Sequence, residues 1–153
     1  MSIDANREVS RRFHDEVIVG NDWDVARELL HPEVKHLRGA IGTTIVELDP
    51  DGASGLRAYT GAERFIHATE MLRVLFPRWS SRLELMIAEQ DRVFTHCVIT
   101  GTLGVPLRGA AAGTDFELHQ AVVQRIQDGR ITEIFALSDQ LELWRALGVP
   151  GVA

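Results

Sequence analysis

Two residues of this sequence carry side chains that transfer protons and stand at the ends of predicted strands. His36 closes the first of these strands, and its imidazole titrates near neutral pH, which suits general acid or base catalysis. Asp139 lies where the last strand gives way to a helix, a place that suits either a general base or a helix N-cap. His36 has a structural alternative as well, a hydrogen bond to the loop that follows it. His36 and Asp139 are therefore the catalytic candidates, and both alternatives stay open.

The other histidines and the only cysteine give weaker indications. We expect His119 on a strand face that turns away from the interior, His14 on the surface of the first helix, and His96 inside the central strand. Cys97 has no partner for a disulfide, and its apolar neighbours favour a buried, unreactive thiol. No zinc-site spacing, no dinucleotide fingerprint and no nucleophile elbow occurs. The sequence predicts neither a metal site nor a cofactor.

Composition and charge narrow the possible partners. The chain has 153 residues, of which 45% are hydrophobic, and a formal net charge of −6, which is typical of one folded domain. Nucleic-acid binding requires a basic patch, and the longest basic cluster is the pair Arg11 and Arg12. No stretch of about 18 apolar residues occurs, and the first residues lack a signal-peptide pattern. We therefore predict a cytoplasmic protein that contacts neither nucleic acid nor membrane.

Helical patterns dominate the start of the chain. Apolar residues recur at every fourth position from Ala5 to Val17, which indicates an amphipathic helix. Asp22 is placed to cap a second, short helix, and Pro32 ends it. A first short strand is predicted at 34–38.

A turn-rich segment separates these elements from a third helix. Residues 39–59 are rich in glycine and contain a possible hairpin arm at 43–48. A long connection of this kind is either a lid over a binding site or a flexible surface insertion. Thr60 and Glu63 have the spacing of a capping box, which predicts the start of a third helix that closes at Pro77.

Alternation of apolar and polar residues replaces the helical period after the third helix. It predicts four strands and a short closing helix, at 82–87, 93–102, 116–126, 131–138 and 141–147. The predicted fold class is α+β, with a curved and mainly antiparallel sheet packed on three N-terminal helices and a short C-terminal helix. We predict a single domain over residues 1–153, with 39–59 as an insertion.

Four segments give the chain a resemblance to a known family. They are 20–36 with its Gly-Asn-Asp-Trp start and His-Pro-Glu-Val-Lys-His end, Thr100-Gly-Thr-Leu-Gly104, 125–133 around Asp128-Gly129, and Asp139 with Leu147-Gly148. In this order they resemble the SnoaL-like branch of the nuclear transport factor 2-like superfamily. The resemblance implies a cone-shaped α+β barrel with a pocket between sheet and helices, and a homodimer formed through the outer face of the sheet. It also implies that the function is open, because the family includes polyketide cyclases, epoxide hydrolases, isomerases and plain binders.

The resemblance also locates the acid and base of the cyclases. Their histidine and aspartate fall, in this sequence, at Val122 and Ala136, which are apolar and cannot transfer protons. With a three-residue loop at 127–129, Val122 faces Ile134 and Gln120 faces Ala136. The predicted substrate-binding face then consists of Leu118, Gln120, Val122, Ile134, Ala136 and Ser138. A tighter two-residue turn would instead bring Asp139 beside Leu118.

Two functional hypotheses from different classes follow. The first is a cofactor-independent cyclase, isomerase or hydrolase that acts on an apolar, ring-bearing metabolite through His36 and Asp139. The second is a non-catalytic protein that binds or sequesters a hydrophobic small molecule, which Val122 and Ala136 favour. A protein-interaction module that uses the outer sheet face is a third, less favoured interpretation.

Overall fold

The computed structural model describes residues 2–38, 55–56 and 58–151. In that part of the chain the α-helices are α1 Ile3–Arg12, α2 Trp23–Leu29, α3 Gly61–Leu75 and α4 Gln140–Ala146. A π-helical segment, Phe13–Val19, continues α1 without a break. The strands are β1 Leu30–Arg38, β2 Ser80–Glu89, β3 Arg92–Thr102, β4 Asp115–Gln127 and β5 Arg130–Ser138.

The strands form one open, mixed sheet in the order β1-β5-β4-β3-β2. Strands β2 to β5 pair as an antiparallel meander, and β1 pairs parallel to β5 at one edge. The predicted α+β class, with a mainly antiparallel sheet and helices before and after it, is confirmed. The first strand begins at Leu30 rather than at 34, and Pro32 is tolerated within it because an edge strand can leave one side unpaired.

The hairpin between β4 and β5 differs from the predicted register. Gln127 pairs with Arg130, so the turn contains only Asp128 and Gly129, both with the positive φ of a type I′ turn. The predicted three-residue loop is therefore wrong. The bulge lies further along the hairpin, where Thr132 is the extra residue between the pairs of Arg125 and Ile126.

The bulge restores the predicted face even though the predicted pairs are wrong. Val122 pairs with Ala136 rather than with Ile134, and Gln120 pairs with Ser138 rather than with Ala136. One extra residue on β5 shifts the register by one, which returns the even-numbered side chains of both strands to the same side of the sheet.

The helices cover one face of the sheet and leave space between two hydrophobic clusters. Phe13, Leu30 and Ile66 belong to the first cluster, and Phe76 and Leu143 belong to the second. Close packing within each cluster fixes the helices that flank the space between them.

Helix α3 begins where predicted, but the predicted capping box is absent. Thr60 is the N-cap residue without a side-chain hydrogen bond, and Glu63 instead pairs with Arg27 of α2, with 2.8 Å between Nε and Oε1. Gly61 has a φ of +53°, and a Cβ there would lie 1.8 Å from the carbonyl oxygen of Pro32. Only glycine lets α3 start this close to β1.

The possible hairpin arm at 43–48 and most of the predicted 39–59 insertion lie outside the described residues. In the part of the chain that the structure describes, no helix combines the length and the apolar character needed to cross a membrane.

Candidate functional site

A cavity of about 620 Å³ lies between the inner face of the sheet and the helices. Its size suits a small organic molecule. The walls are mostly apolar, with Phe13, Ile18, Val34, Phe65, Leu72 and Trp79 among the side chains that contribute. The cavity is therefore the candidate functional site, and the position of each polar group on its wall decides what it can do.

Four of the six residues predicted for the substrate-binding face line this cavity. They are Gln120, Val122, Ile134 and Ala136. Leu118 is buried in the second cluster instead. Ser138 supports the wall indirectly, because its hydroxyl accepts a 3.0 Å hydrogen bond from Nε2 of Gln120. These positions place the predicted face at the cavity and leave its role in binding a proposal.

His14 is the polar group that the sequence analysis misplaced. It is only 8% exposed and lines the cavity, where the sequence predicted a surface position. Its Nδ1 lies 2.7 Å from Oδ1 of Asp15, and its Nε2 lies 3.1 Å from Oγ of Ser81 on β2. Because a carboxylate only accepts, Nδ1 carries the proton and Nε2 is left as the basic nitrogen.

A row of polar residues explains why His14 turns inward. Asn6, Ser10 and His14 recur every fourth residue and are all buried, one position beside the apolar row from which the helix was predicted. Asn6 donates to the carbonyl of Gln90 at 2.9 Å, and Ser10 donates to Oε1 of Gln124 at 2.5 Å. The spacing of this polar row was the missed signal, because polar residues on a helix are usually assigned to its solvent face.

The π-helical segment sets the end of this row. Gly20 donates its N–H to the carbonyl of Asp15, five residues back, which is the hydrogen-bond pattern of a π-helix and a frequent feature of functional sites. It begins at Phe13, so His14 and Asp15 belong to the irregular turn rather than to α1.

Cys97 extends the polar group that surrounds Ser81. It lies on β3 against the cavity. Burial raises the pKa of its thiol, while hydrogen bonds with Ser81 and Thr95 act in the opposite direction. The prediction of a buried thiol is correct, and its high pKa keeps it protonated and poorly nucleophilic.

His36 lines the cavity from β1, as the first catalytic candidate. Its ring stacks on Phe65 with 5.7 Å between centroids and 15° between planes. Burial of the ring, and then the charge of Arg64, lower the pKa of His36 below its ordinary value. The residue as a whole is still exposed, so solvent weakens this shift. His36 is therefore neutral at physiological pH and able to accept a proton.

Asp139, the second candidate, is the N-cap of α4. Its Oδ1 accepts from the N–H of Glu142 at 3.1 Å, and its own N–H donates to the carbonyl of His119 at 3.2 Å. It is not among the described residues that line the cavity. The geometry matches the capping alternative.

His96 and His119 form a pair on the outer face of the sheet. Nε2 of His96 lies 2.9 Å from Nδ1 of His119, and the rings stack with centroids 5.1 Å apart. His119 is exposed as expected, whereas His96 is half-buried rather than fully buried. Neither is placed to act in the cavity.

Two arginines of α3 give the cavity positive charge. Arg64 donates to the carbonyl of Leu56 at 3.3 Å. Arg73 donates to the carbonyl of Ile18, and its Cζ lies 5.0 Å from the centre of the Trp79 ring. Burial lowers the pKa of Arg73 to about 10. Neither arginine was singled out from the sequence, because a single arginine in a helix is most often a solvated surface residue.

Within residues 2–38, 55–56 and 58–151, no three His, Cys, Asp or Glu side chains converge to hold a metal ion. The polar groups that face the cavity support proton transfer and hydrogen bonding through the side chains themselves.

Comparisons with known proteins agree with this architecture. Comparison with curated protein sequences finds no match. Among solved structures, IdmH of Streptomyces antibioticus, a proposed polyketide cyclase, is 21% identical with a TM-score of 0.73, over 94% of this chain and 99% of that one. TsrD of Streptomyces laurentii is 20% identical with a TM-score of 0.75, over 97% and 98%. A proposed SnoaL-like polyketide cyclase of Jannaschia sp. CCS1 is 24% identical with a TM-score of 0.73, over 98% and 96%.

These similarities establish the nuclear transport factor 2-like fold, and identities this low carry no activity across. The family assignment rests on sequence. The profile of the SnoaL-like polyketide cyclase family matches residues 8–147. Because this match spans nearly the whole chain, including every element described above except the start of α1, the protein belongs to the SnoaL-like polyketide cyclase family.

Proposed function

We propose that this protein is a cofactor-independent enzyme, a cyclase, isomerase or hydrolase, that acts on an apolar, ring-bearing metabolite with His14 as its acid and base. One observation carries the proposal: a buried imidazole on the cavity wall is held by a carboxylate at 2.7 Å and presents its other nitrogen to a hydroxyl. A histidine held in one tautomer by a carboxylate is the arrangement that enzymes use for general base catalysis.

The proposed chemistry is proton transfer at a carbon or an oxygen of the bound ring system. Nε2 of His14 takes a proton from the substrate, and Asp15 stabilises the imidazolium that forms. In an aldol-type closure, the carbanion formed beside a carbonyl attacks a second carbonyl carbon, and the imidazolium then protonates the new alkoxide. Protons and electrons balance without an oxidant or a cofactor. Ser81, which bonds Nε2, either relays the proton or yields its place to the substrate.

His36 is the alternative base within the same proposal. Its lowered pKa keeps it neutral, and it lines the cavity from β1. The two histidines are distinguished by His14→Gln and His36→Gln. We expect His14→Gln to lower kcat by about 10²–10⁴-fold, which is the usual contribution of a general base. A loss of that size in His36→Gln alone would assign the role to His36.

A binding protein without catalysis is the second candidate, and one observation favours it. Val122 and Ala136 are direct cross-strand partners inside the cavity. The resemblance described in the sequence analysis implies that the cyclases have a histidine and an aspartate at these two positions. Two apolar residues there suit a wall that holds a hydrophobic ligand without transferring protons to it.

A ligand screen with product analysis tests the two candidates. Aromatic polyketides, terpenoid epoxides and steroid-like compounds are screened by thermal shift, and each stabilising compound is then incubated and analysed by mass spectrometry. Conversion that His14→Gln abolishes supports the enzyme. Stabilisation by compounds that all return unchanged, at every pH tested, contradicts the enzyme and supports the binder.

We also propose that two copies of the chain associate through the outer face of the sheet, in the cytoplasm. Leu85, Ile87 and Leu137 leave about half of their surface exposed on that face, at 47%, 54% and 44%. Exposed apolar patches of this kind mark interaction surfaces. Analytical ultracentrifugation of the protein and of Ile87→Glu tests the proposal, and a monomeric parent protein overturns it.

A further inference from the structure

The wall of the cavity has a charge opposite to that of the protein. The chain carries a net charge of −6. The described residues that line the cavity include two arginines, Arg64 and Arg73, and two histidines, but no aspartate or glutamate. A low-dielectric cleft lined by one sign of charge attracts a ligand of the other sign.

Arg73 is better placed than Arg64 to bind an anion in the cavity. No ion pair among the described residues includes it. One Nη donates to the carbonyl of Ile18, and Nε is buried with no acceptor in the described part of the chain. A half-buried guanidinium without a counter-ion is unfavourable, because burial removes hydration that only an anion or good acceptors replace.

The surroundings of Arg73 connect this charge to the proposed base. Ile18, whose carbonyl accepts from Arg73, belongs to the same π-helical segment as His14. Trp79 packs beside the guanidinium, with 5.0 Å between its ring centre and Cζ. An apolar ring in the cavity therefore has both a hydrophobic wall and a cation at its edge.

We propose that the natural ligand of this cavity is an apolar ring system that carries an anionic oxygen, and that Arg73 binds this oxygen. The inference rests on the proposed function only in taking the cavity as the ligand site. A guanidinium binds oxyanions through charge-assisted hydrogen bonds. The oxygen belongs either to a carboxylate or to an acidic enol or phenol, since all of these present the same charge.

Binding of matched probes tests the inference without any need for turnover. The probes are 2-naphthoate, an acidic 2-aryl-1,3-cyclohexanedione, and the neutral isostere 2-naphthylmethanol, measured by isothermal titration calorimetry at pH 7.5. We expect at least one anion to bind about tenfold or more tightly than the alcohol, as hydrogen bonds to charged groups allow. Preference for the naphthoate points to a carboxylate, and preference for the dione points to an enolate.

Variants assign the preference to Arg73. Arg73→Gln keeps a donor for the carbonyl of Ile18 but removes the charge, so the anion should lose about tenfold in affinity while the alcohol keeps its own. Arg73→Lys retains the charge and should restore part of the preference. The matched control is Arg108→Gln. Arg108 also packs on a tryptophan, with 5.3 Å between its Cζ and the centre of the Trp144 ring, but it is not among the described residues that line the cavity.

Each outcome decides the inference. Equal affinities for anion and alcohol in the unmodified protein overturn it, as does an unchanged preference in Arg73→Gln. If Arg73→Gln does not fold, Arg73→Lys takes its place: a reduced preference for the anion supports the inference, and a preference equal to that of the unmodified protein overturns it. Anion binding, together with a ligand screen in which every stabilising compound returns unchanged, leaves this inference standing and contradicts the enzyme. Conversion of a screened compound by a protein that shows no preference for an anion supports the enzyme and overturns this inference.

Discussion

The hydrogen bond between Ser10 and Gln124 holds α1, which continues into the π-helical segment with His14, against the sheet. Its removal gives a quantitative test of this packing. The two side chains are 1% and 3% exposed, and Oγ lies 2.5 Å from Oε1. Ser10→Ala deletes the hydroxyl that donates this bond and leaves Oε1 of Gln124 without the Ser10 donor. The methyl of alanine fits where serine was, so no cavity is added.

The expected cost follows from two opposing effects. A buried acceptor that loses its partner costs about 1–3 kcal/mol, whereas alanine is the better helix former by about 0.5 kcal/mol. Ser10→Ala should therefore lower the free energy of unfolding by about 1.5 kcal/mol, which for a chain of this size corresponds to a fall in Tm of about 3–6 °C. Gln124→Leu should cost less, since the Ser10 hydroxyl can bond the carbonyl one turn back.

Urea denaturation followed by circular dichroism measures these changes in a double-mutant cycle. Once Gln124 is leucine, the further change Ser10→Ala should cost almost nothing, so the interaction energy should be about 1.5 kcal/mol. Arg11→Ala on the exposed side of the same helix is the matched control and should stay within about 0.5 kcal/mol of the parent. A cost of Ser10→Ala no larger than that of Arg11→Ala would refute the reasoning.

Three further predictions follow from single contacts. Gly61→Ala should lower the free energy of unfolding by more than about 2 kcal/mol in urea, because its Cβ meets the Pro32 carbonyl at a positive φ; parent-like stability would contradict this. Asp139→Ala should cost about 1 kcal/mol and Asp139→Asn only a few tenths, with turnover unchanged in both; lost turnover at normal stability would restore Asp139 as a base. Arg64→Gln should raise the pKa of His36, followed by NMR titration of its ring, because the Arg64 charge lowers it. Because the pKa of His36 is lower in the folded state, the unfolded state binds more protons at this residue. The free energy of unfolding should therefore fall as pH drops below about 6.5. This fall should be smaller in Arg64→Gln.

Most of the fold was predictable because most of the helices and strands have a local sequence pattern that tertiary contacts do not override. The alternation in 116–126 and 131–138 and the Asp128-Gly129 turn gave the hairpin. The position of the bulge was not predictable, because Thr132 is as suitable within a strand as its neighbours. The prediction of a capping box at Thr60 was wrong for a different reason: Glu63 pairs with Arg27, which is distant in sequence.

The site was less predictable than the fold, since its residues become neighbours only through tertiary packing. Ser81 lies 67 positions from His14, and nothing in either local sequence marks the pair. Arg73 faces the cavity only because α3 packs beside the π-helical segment. The residues on the inner face of the sheet were easier to predict than those on the helices. Side chains of a strand alternate between the two faces, so the face of one residue gives the face of its neighbours along a regular strand.

The pairing of Val122 with Ala136 has a consequence for how this cavity can do chemistry. Because the two residues are direct cross-strand partners, an acid and a base at these positions would act together on one substrate. Loss of either group would leave the other without its catalytic partner. The cavity is lined instead by His14 on the helical side, and Nδ1 of this histidine lies 2.7 Å from Oδ1 of Asp15. With His14 as the base, proton transfer therefore takes place on the face of the ligand that meets the π-helical segment, next to Ser81 of β2. A ligand anchored by Arg73, which bonds that same segment, would present this face.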